Sequence, residues 1–202
     1  MKNYISLNGK KIELTSEQIA EMTKSLGIKQ IKLSDIPIGK TFKVDDYEFV
    51  VLEHSKDTTA VILKNLLYTD KKFGSDNDYK GSNVDSICCD FGEVVKKIVG
   101  CSNLIKHTVD LTSDDGLKDY GKIHRYASLL TAGLYRRYVE ILDNHKVDKW
   151  WWLATAYSTP THGDSSFAKC VAPSGSIINY NDNDNGGVRP FCILNSNIFV
   201  SQ

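Results

Sequence analysis

The stretch Trp150-Trp151-Trp152-Leu153 decides the fold, together with Gly186-Gly187-Val188-Arg189-Pro190 further along the chain. Side chains alternate between the two faces of a strand, so three consecutive tryptophans place at least one indole on each face. A strand with an indole on both faces is central and buried on both sides. We therefore predict that Trp151 and Trp152 hold the core, since large aromatic side chains dominate core energetics.

The second segment carries two further structural candidates. Gly187 precedes the apolar run Phe191-Cys192-Ile193-Leu194, and a glycine in this position is typical of a β-bulge or of a close approach between backbones. Arg189 has five N–H donors in a rigid fork and can fix a loop through the carbonyls of that loop. With Trp151 and Trp152, these two residues form the set that we expect to stabilise the fold.

Composition and charge exclude several classes of protein. Of 202 residues, 41% are hydrophobic, and 25 basic residues balance 25 acidic ones. Binding to nucleic acid or to anionic membranes needs clustered positive charge, so neither is predicted. We find no long apolar run and no apolar N-terminal stretch, and we therefore expect no membrane span and no signal peptide. Five cysteines, with Cys88 and Cys89 adjacent, indicate reduced thiols and a cytoplasmic location.

Two parts are predicted along the chain. Residues 1–30 form an N-terminal hairpin, turning at Asn8-Gly9, and an amphipathic helix that begins with a capping box of Thr15 and Gln18. Residues 36–202 form one α+β binding domain with short strands, two main helices and long C-terminal loops. The predicted elements are an apolar helix stripe of Ile19, Met22 and Leu26, strands at 41–44, 47–52 and 59–64, a polar loop at 68–81, and helices at 82–99 and 132–142.

The Trp-Trp-Leu and Gly-Val-Arg-Pro motifs resemble those of a domain family of unknown function that is associated with phages and prophages. The resemblance covers about residues 36–200, and it departs from the family at Ala154, where many members carry Arg-Ser-Pro after the leucine. In its terminal pattern the family is similar to the C-type lectin-like fold, which formylglycine-generating enzymes and retroelement variable proteins share. The resemblance implies a C-type lectin-like scaffold whose long loops bind a ligand. The other motifs that carry it are 107–112, 115–121, 128–131 and 135–138.

Two polar stretches after the tryptophans, residues 157–166 and 179–186, form the candidate binding surface. They are rich in Tyr, Ser, Asn, Asp and Gly, which form adaptable recognition loops. The same residue types also form solvated turns without any partner. With the family resemblance added, we favour binding of a protein partner. The predicted partner-binding residues are Tyr157, Thr161, His162, Asp164, Tyr180, Asn181, Asp182, Asn183 and Asp184.

Metal binding is an alternative function for the same loops. Residues 181–186 match the start of an EF-hand loop, but Cys192 stands where a bidentate glutamate is required, so only a looser calcium site stays open. No cysteines have the paired spacing of a zinc signature, and we predict no cofactor. The candidate zinc ligands are one set of His162, Asp164 and Cys170, and a second set of Cys88, Cys89, Cys101 and His107.

Catalytic motifs are weak, and we predict that the chain is not an enzyme. A Gly-rich phosphate loop, a His-Glu-x-x-His motif and a Rossmann fingerprint are all missing from the sequence. Ser165 lies beside His162 and Asp164, but sequence adjacency does not orient a base as a catalytic triad requires. In an enzyme related to formylglycine formation, Cys170 or Cys192 would be solvent-accessible and reactive.

These features favour a non-catalytic binding protein of a phage or mobile element. The expected place of action is the cytoplasm of the bacterial host, where the chain would inhibit a host protein such as a CRISPR-Cas or other defence complex. Two alternatives stay open: a phage receptor-binding module and a ligand-binding module diversified by a retroelement. The second of these would have adenine-rich codons in its loop and a template repeat downstream. The sequence predicts no oligomeric state.

Overall fold

The computed structural model describes residues 3–7, 10–15, 18, 21, 25 and 30–201. Strands dominate the described residues, and with the helices they make a mixed α+β fold. The strands are β1 (Asn3–Leu7), β2 (Lys10–Leu14), β3 (Gln30–Lys32), β4 (Thr41–Val44), β5 (Tyr47–His54), β6 (Thr58–Leu63), β7 (Tyr68–Lys71), β8 (Leu104–Ile105), β9 (His107–Asp110), β10 (Lys122–Arg125), β11 (Ala127–Ser128), β12 (Trp151–Ala156), β13 (Phe167–Val171), β14 (Ile177–Asn181), β15 (Gly186–Val188), β16 (Phe191–Asn195) and β17 (Phe199–Ser201). Within residues 30–201, the α-helices are α1 (Asn83–Val99), α2 (Ala132–Arg137) and α3 (Val139–Leu142).

The predicted N-terminal hairpin and capping box are both present. β1 pairs antiparallel with β2, and Leu7 faces Lys10 at the end of the ladder. The Thr15 N–H donates to the Gln18 side chain at 2.9 Å, and the Gln18 N–H donates to the Thr15 hydroxyl at 3.2 Å. Each side chain thus accepts a hydrogen bond from the backbone N–H of the other residue, at the start of the helix that the sequence predicts. Outside the described residues lie the predicted turn Asn8-Gly9 and the predicted stripe of Ile19, Met22 and Leu26.

The larger sheet has eight strands in the order β11-β16-β6-β5-β4-β17-β3, with β8 paired to β16. Its strands β4, β5 and β6 confirm the three strands predicted from the sequence. β17 pairs with β3 and with β4, so both ends of residues 30–201 lie in this sheet. Side chains of β5 alternate between two cores: Phe49 and Val51 pack with helix α1, and Val50 and Leu52 pack with α2 and the smaller sheet.

The smaller sheet has five strands in the order β14-β13-β12-β15-β7 and carries the tryptophans at its centre. Trp151 and Leu153 enter the core that lies between the two sheets. Trp152 and Ala154 enter a third core with the start of α1 and with β9 and β10, which form a two-stranded sheet of their own. Both indoles are at most 2% exposed. β12 is therefore the central, doubly buried strand that three consecutive tryptophans predict.

Helix α1 forms where the sequence predicts it. The Ser82 hydroxyl accepts a hydrogen bond at the N-terminus, and this cap sets the start of the helix. Phe91 and Val95 are buried against the larger sheet. Val94 and Ile98, which helical spacing places beside this buried face, are 38% and 39% exposed. The helix contacts the sheet along a narrow stripe, so these two positions lie at the border of the contact.

Three predicted boundaries need correction. The polar loop predicted at 68–81 begins with strand β7, which pairs through its backbone although its side chains are polar and mostly exposed. The helix predicted at 132–142 is capped by Thr131 as expected but is divided into α2 and α3 at Tyr138, where φ is −107° and ψ is 12°. Residues 179–181, predicted as loop, belong to β14, because a hydrogen-bonded ladder overrides their turn-like composition.

Candidate functional site

The two predicted binding stretches meet at one end of the smaller sheet. Residues 157–166 connect β12 to β13, and residues 182–185 connect β14 to β15. The Asp182 N–H donates to the Ser166 carbonyl at 2.7 Å, so the two connections are in direct contact. We call residues 157–166 and 177–185 the loop surface.

Arg189 is a buried side chain that connects separate segments of the chain by hydrogen bonds. It is 1% exposed, and its guanidinium donates to the carbonyls of Leu63 at 2.8 Å, Lys64 at 2.8 Å and His145 at 3.0 Å. The same group lies 5.4 Å from the ring of Trp151. Burial lowers the pKa of Arg189 to about 10, so the side chain is still charged at neutral pH. One side chain thus ties the end of β6 and the segment before β12 to the smaller sheet.

The glycines before Arg189 allow close backbone contact. Gly187 pairs in parallel with Trp151. A Cβ atom on Gly187 would lie 2.6 Å from Leu66 Cδ1 and 3.0 Å from the Trp150 carbonyl oxygen. The pairing of β15 with β7 also shifts register between Gly186 and Val188. This place in the fold therefore has both features that a glycine before a strand predicts, a close approach and a bulge.

Two aspartates from the turn between β9 and β10 fix residues 157–162. Asp115 Oδ2 accepts from the Ser158 hydroxyl at 2.6 Å and lies 2.9 Å from His162 Nδ1. Asp119 Oδ2 accepts from the hydroxyls of Thr159 at 2.6 Å and Thr161 at 2.5 Å. Thr161 and His162, both predicted to contact a partner, are thus also bonded to their own chain.

These hydrogen bonds keep both carboxylates ionised. The hydroxyls of Ser113 and Ser158, with the His162 ring, hold the pKa of Asp115 well below its usual range. The hydroxyls of Thr159 and Thr161 lower the pKa of Asp119. The sequence did not assign these aspartates to the loop surface. Their signals in the sequence are the 115–121 motif of the family resemblance and their closeness to other acidic residues.

Two tyrosines project from the loop surface while their rings rest on fixed neighbours. Tyr180 is 37% exposed and stacks on Trp150 with ring centroids 4.4 Å apart. Trp150 in turn packs edge-on against the buried Trp152 at 4.7 Å. Tyr157 is 44% exposed, and the Lys169 ammonium lies 5.5 Å from its ring. Both rings are therefore held in place and partly open to a partner.

Asp182 differs from its neighbours because its side chain is buried. It is 3% exposed, its Oδ1 accepts from Asn183 Nδ2 at 2.8 Å, and its carbonyl accepts from the Phe73 N–H at 2.9 Å. Burial raises the pKa of Asp182, and the neighbouring carboxylates of Asp76 and Asp164 raise it further. Asp182 therefore holds the turn. The exposed residues around it are 183, 184 and 185, and residue 181 is half-buried.

The candidate zinc ligands are not assembled into a site in the part of the chain that the structure describes. Within these residues, no group of three His, Cys, Asp or Glu side chains is arranged to bind a metal ion. Cys170 is buried in β13, and burial raises the pKa of its thiol to about 12. In the second set, Cys88 is buried, Cys89 and Cys101 are exposed, and His107 Nε2 lies 2.9 Å from the Ser128 hydroxyl.

In comparisons with protein-family models, curated proteins and solved structures, the chain matches none. Among the described residues, every helix is too short or too polar to cross a bilayer.

Proposed function

We propose that this chain is a non-catalytic binding protein with a C-type lectin-like scaffold. Two features support the scaffold. The first and last strands of residues 30–201 meet in the larger sheet, and the smaller sheet carries the long connections at its end. Such a scaffold keeps its loops fixed, which lowers the conformational entropy lost when a partner binds.

The observation that carries the proposal is the pair of anchored, exposed tyrosines. Tyr180 is stacked on the Trp150–Trp152 pair, and Tyr157 follows directly after the buried strand β12. Tyrosine supplies a large amphipathic contact area with few rotatable bonds, so prepositioned tyrosines suit protein recognition. The Asp115 and Asp119 hydrogen bonds hold the neighbouring loop in one arrangement.

Further features support a binding role over a catalytic one. Cys170 and Cys192 are both buried, and burial raises the pKa of both thiols, so neither is the accessible reactive cysteine that formylglycine chemistry needs. Ser158 donates its hydroxyl proton to Asp115, the same carboxylate that His162 contacts, so its hydroxyl is directed away from the imidazole that would have to activate it.

The biological setting of the proposal depends on the sequence motifs. Their resemblance to a phage- and prophage-associated family supports a phage or mobile-element origin. The five cysteines are all free thiols, as in proteins of a reducing compartment. We therefore place the action in the host cytoplasm, with a host defence protein such as a CRISPR-Cas complex as the partner. The balanced net charge favours a protein surface over nucleic acid.

The experiment compares Tyr157→Ala with a matched control, Tyr68→Ala. Tyr68 is also 44% exposed, and its ring also lies near a lysine, 4.9 Å from the Lys71 ammonium. It belongs to β7, the edge strand of the smaller sheet on the side away from β13 and β14. Purified wild type and both variants are used for affinity capture from host lysate, with the stoichiometry of each complex measured. A stoichiometric complex kept by Tyr68→Ala and lost by Tyr157→Ala, at unchanged melting temperature, supports the proposal. Equal loss in both variants, or no complex with the wild type, contradicts it.

A further inference from the structure

β14 is an edge strand whose outer side is open. It stands at the end of the smaller sheet and pairs with β13 in regular register over Ile177–Asn181. Two flanking bonds define which residues face β13: the Asp182 N–H donates to the Ser166 carbonyl, and the Ala172 N–H donates to the Ser176 carbonyl. Hydrogen-bonded and non-hydrogen-bonded residue pairs alternate along an antiparallel ladder. The backbone N–H and carbonyl groups of the even-numbered residues of β14 therefore bond to β13, and those of the odd-numbered residues point away from the sheet.

Among the described residues, the outward-pointing backbone groups of β14 have hydrogen-bond partners only at Asn181, the C-terminal end of the strand. The Asn181 N–H donates to Asp184 Oδ2 at 3.1 Å, and its carbonyl accepts from the Asp184 N–H at 2.9 Å. The N–H and carbonyl groups of Ile177 and Asn179 have no hydrogen-bond partner among the described residues. Four neighbouring backbone groups are therefore free to bond to another strand.

β14 also lacks the features that usually protect an edge. Edge strands are commonly blocked by charged side chains, by proline or by a bulge. The opposite edge strand, β7, carries Asp70 and Lys71 and has an irregular register. By contrast, β14 reads Ile-Ile-Asn-Tyr-Asn, with no charge, no proline and no register shift. An uncharged edge with a regular register is the kind of edge to which an extended peptide adds as a further strand.

Unpaired negative charge lies beside this edge. A cleft of about 430 Å³ is lined by Asp76, Asp78, Lys80 and Asn183, so one lysine shares it with two carboxylates. The Asp164 and Asp184 carboxylates lie at the same end of the sheet, where they accept from the Ser166 and Asn181 N–H groups. Among the described residues, none of these carboxylates forms an ion pair with Lys or Arg, although other exposed carboxylates of the chain do. The Asp182 N–H donates to the Ser166 carbonyl, which brings the turns that carry Asp164 and Asp184 close together. A cationic side chain would be stabilised here.

We propose that the partner adds an extended, lysine- or arginine-bearing segment to β14 as a sixth strand, with its cationic side chains beside Asp164 and Asp184. This inference rests on the proposed function and names the chemistry of the partner. A second copy of the chain fits the edge less well, because its own β14, Ile-Ile-Asn-Tyr-Asn, has no cationic side chain to place beside these carboxylates.

The test uses short capped peptides and two variants at one position. The probe alternates Val and Lys over seven residues, and the comparison peptide carries Glu in place of Lys. Asn179→Pro removes the outward N–H, which makes no bond in the folded chain, and proline is tolerated at such edge positions. Asn179→Ala keeps that N–H and controls for the loss of the side chain. Binding is followed by chemical-shift titration, and circular dichroism checks the fold.

We expect the lysine peptide to bind the wild type, with a dissociation constant about tenfold higher in Asn179→Pro and within about threefold in Asn179→Ala. The glutamate peptide should bind more weakly than the lysine peptide. Asp164→Asn combined with Asp184→Asn keeps the turn acceptors and should remove most of the salt dependence. Equal affinities of the two peptides, or of the two Asn179 variants, would overturn the inference.

A second measurement does not depend on the folding of any variant. Successive N–H groups of a strand point to opposite sides, so N-methylation of all valines and N-methylation of all lysines block different edges of the peptide. One methylated peptide should lose binding to the wild type while the other keeps it. Loss with both or with neither overturns strand addition. A dimer of the chain that Asn179→Pro dissociates would show that a second copy occupies the edge, and it would overturn the proposed cationic partner.

Failure of this inference and failure of the proposed function give different results. A host complex that depends on Tyr157 but is unchanged by Asn179→Pro leaves the binding function in place and removes strand addition. A chain that binds no lysine peptide and captures no host complex contradicts both.

Discussion

Replacement of Arg189 by methionine should strongly destabilise the fold. The change keeps an apolar stem of similar length but leaves the carbonyls of Leu63, Lys64 and His145 without their donor. A buried acceptor left unpaired costs about 1–3 kcal/mol, and the loss is partly offset because a desolvated charge is removed. We expect the free energy of unfolding to fall by about 3 kcal/mol, which is a large part of the total for an ordinary domain.

The assay is urea unfolding followed by tryptophan fluorescence, because Trp151 lies 5.4 Å from the guanidinium and reports on this region. Arg136→Met is the matched control: Arg136 is a 58% exposed side chain paired with Asp114, so its loss should cost less than about 1 kcal/mol. Arg189→Lys keeps the charge but not the fork of donors, and should fall between the two. A fall of less than about 1 kcal/mol for Arg189→Met would refute the reasoning, because unpaired carbonyls alone should cost more.

Three further predictions concern packing, pH and thiol accessibility. Gly187→Ala should destabilise the fold by about 2 kcal/mol, because its Cβ would lie 2.6 Å from Leu66 Cδ1. Gly133→Ala in α2 should stabilise the fold by about 0.5 kcal/mol, because the nearest atom to its Cβ would lie 3.8 Å away. Urea unfolding measures both changes. Burial lowers the pKa of His107 from 6.5 to about 4, so only the unfolded chain takes up this proton between those values. The free energy of unfolding should therefore fall by about 3 kcal/mol as the pH drops from 6.5 to 4, measured by urea titrations at several pH values. The exposed thiols of Cys89 and Cys101 should react with iodoacetamide in the native state, and the three buried thiols should react only after unfolding, as mass spectrometry would show.

Each of these predictions has an outcome that contradicts it. If Gly187→Ala and Gly133→Ala change the unfolding free energy equally, close packing at β15 is not the reason for glycine. A pH profile of His107→Gln that matches the wild type would show that another group is responsible for the loss. Labelling of all five cysteines at one rate in the native state would contradict the burial of three of them.

Much of the local structure could be predicted because its causes lie within a few residues. The capping box needs only Thr15 and Gln18, and the cap of α2 needs only Thr131 before a helical run. The tryptophan run identifies a doubly buried strand because the alternation of side chains is a property of any strand. Boundaries were less predictable where long-range pairing decides them, as in β7, whose polar side chains carry no strand pattern.

The candidate site was predictable as a surface but not as an arrangement. Composition identified both polar stretches, and the structure places them in contact. Asp182 is buried although its sequence neighbours are exposed, because its backbone bonds to Phe73 and Ser166 from distant segments. Sequence reasoning could not find the bonds from Asp115 and Asp119 to the 158–162 segment, since about forty residues separate the partners.

The sequence by itself determined the fold class, the central strand, the helix caps and the polar stretches of this protein, because periodicity, propensity and capping act over short distances. Only the tertiary structure decided which polar groups are free. Within the described part of the chain, Ile177 and Asn179 have open backbone groups because β14 lies at the edge of its sheet. The order of strands depends on contacts between residues far apart in the chain. For the same reason, Asp164 and Asp184 form no ion pair with Lys or Arg among the residues that the structure describes: an ion pair depends on which segments the fold brings within reach.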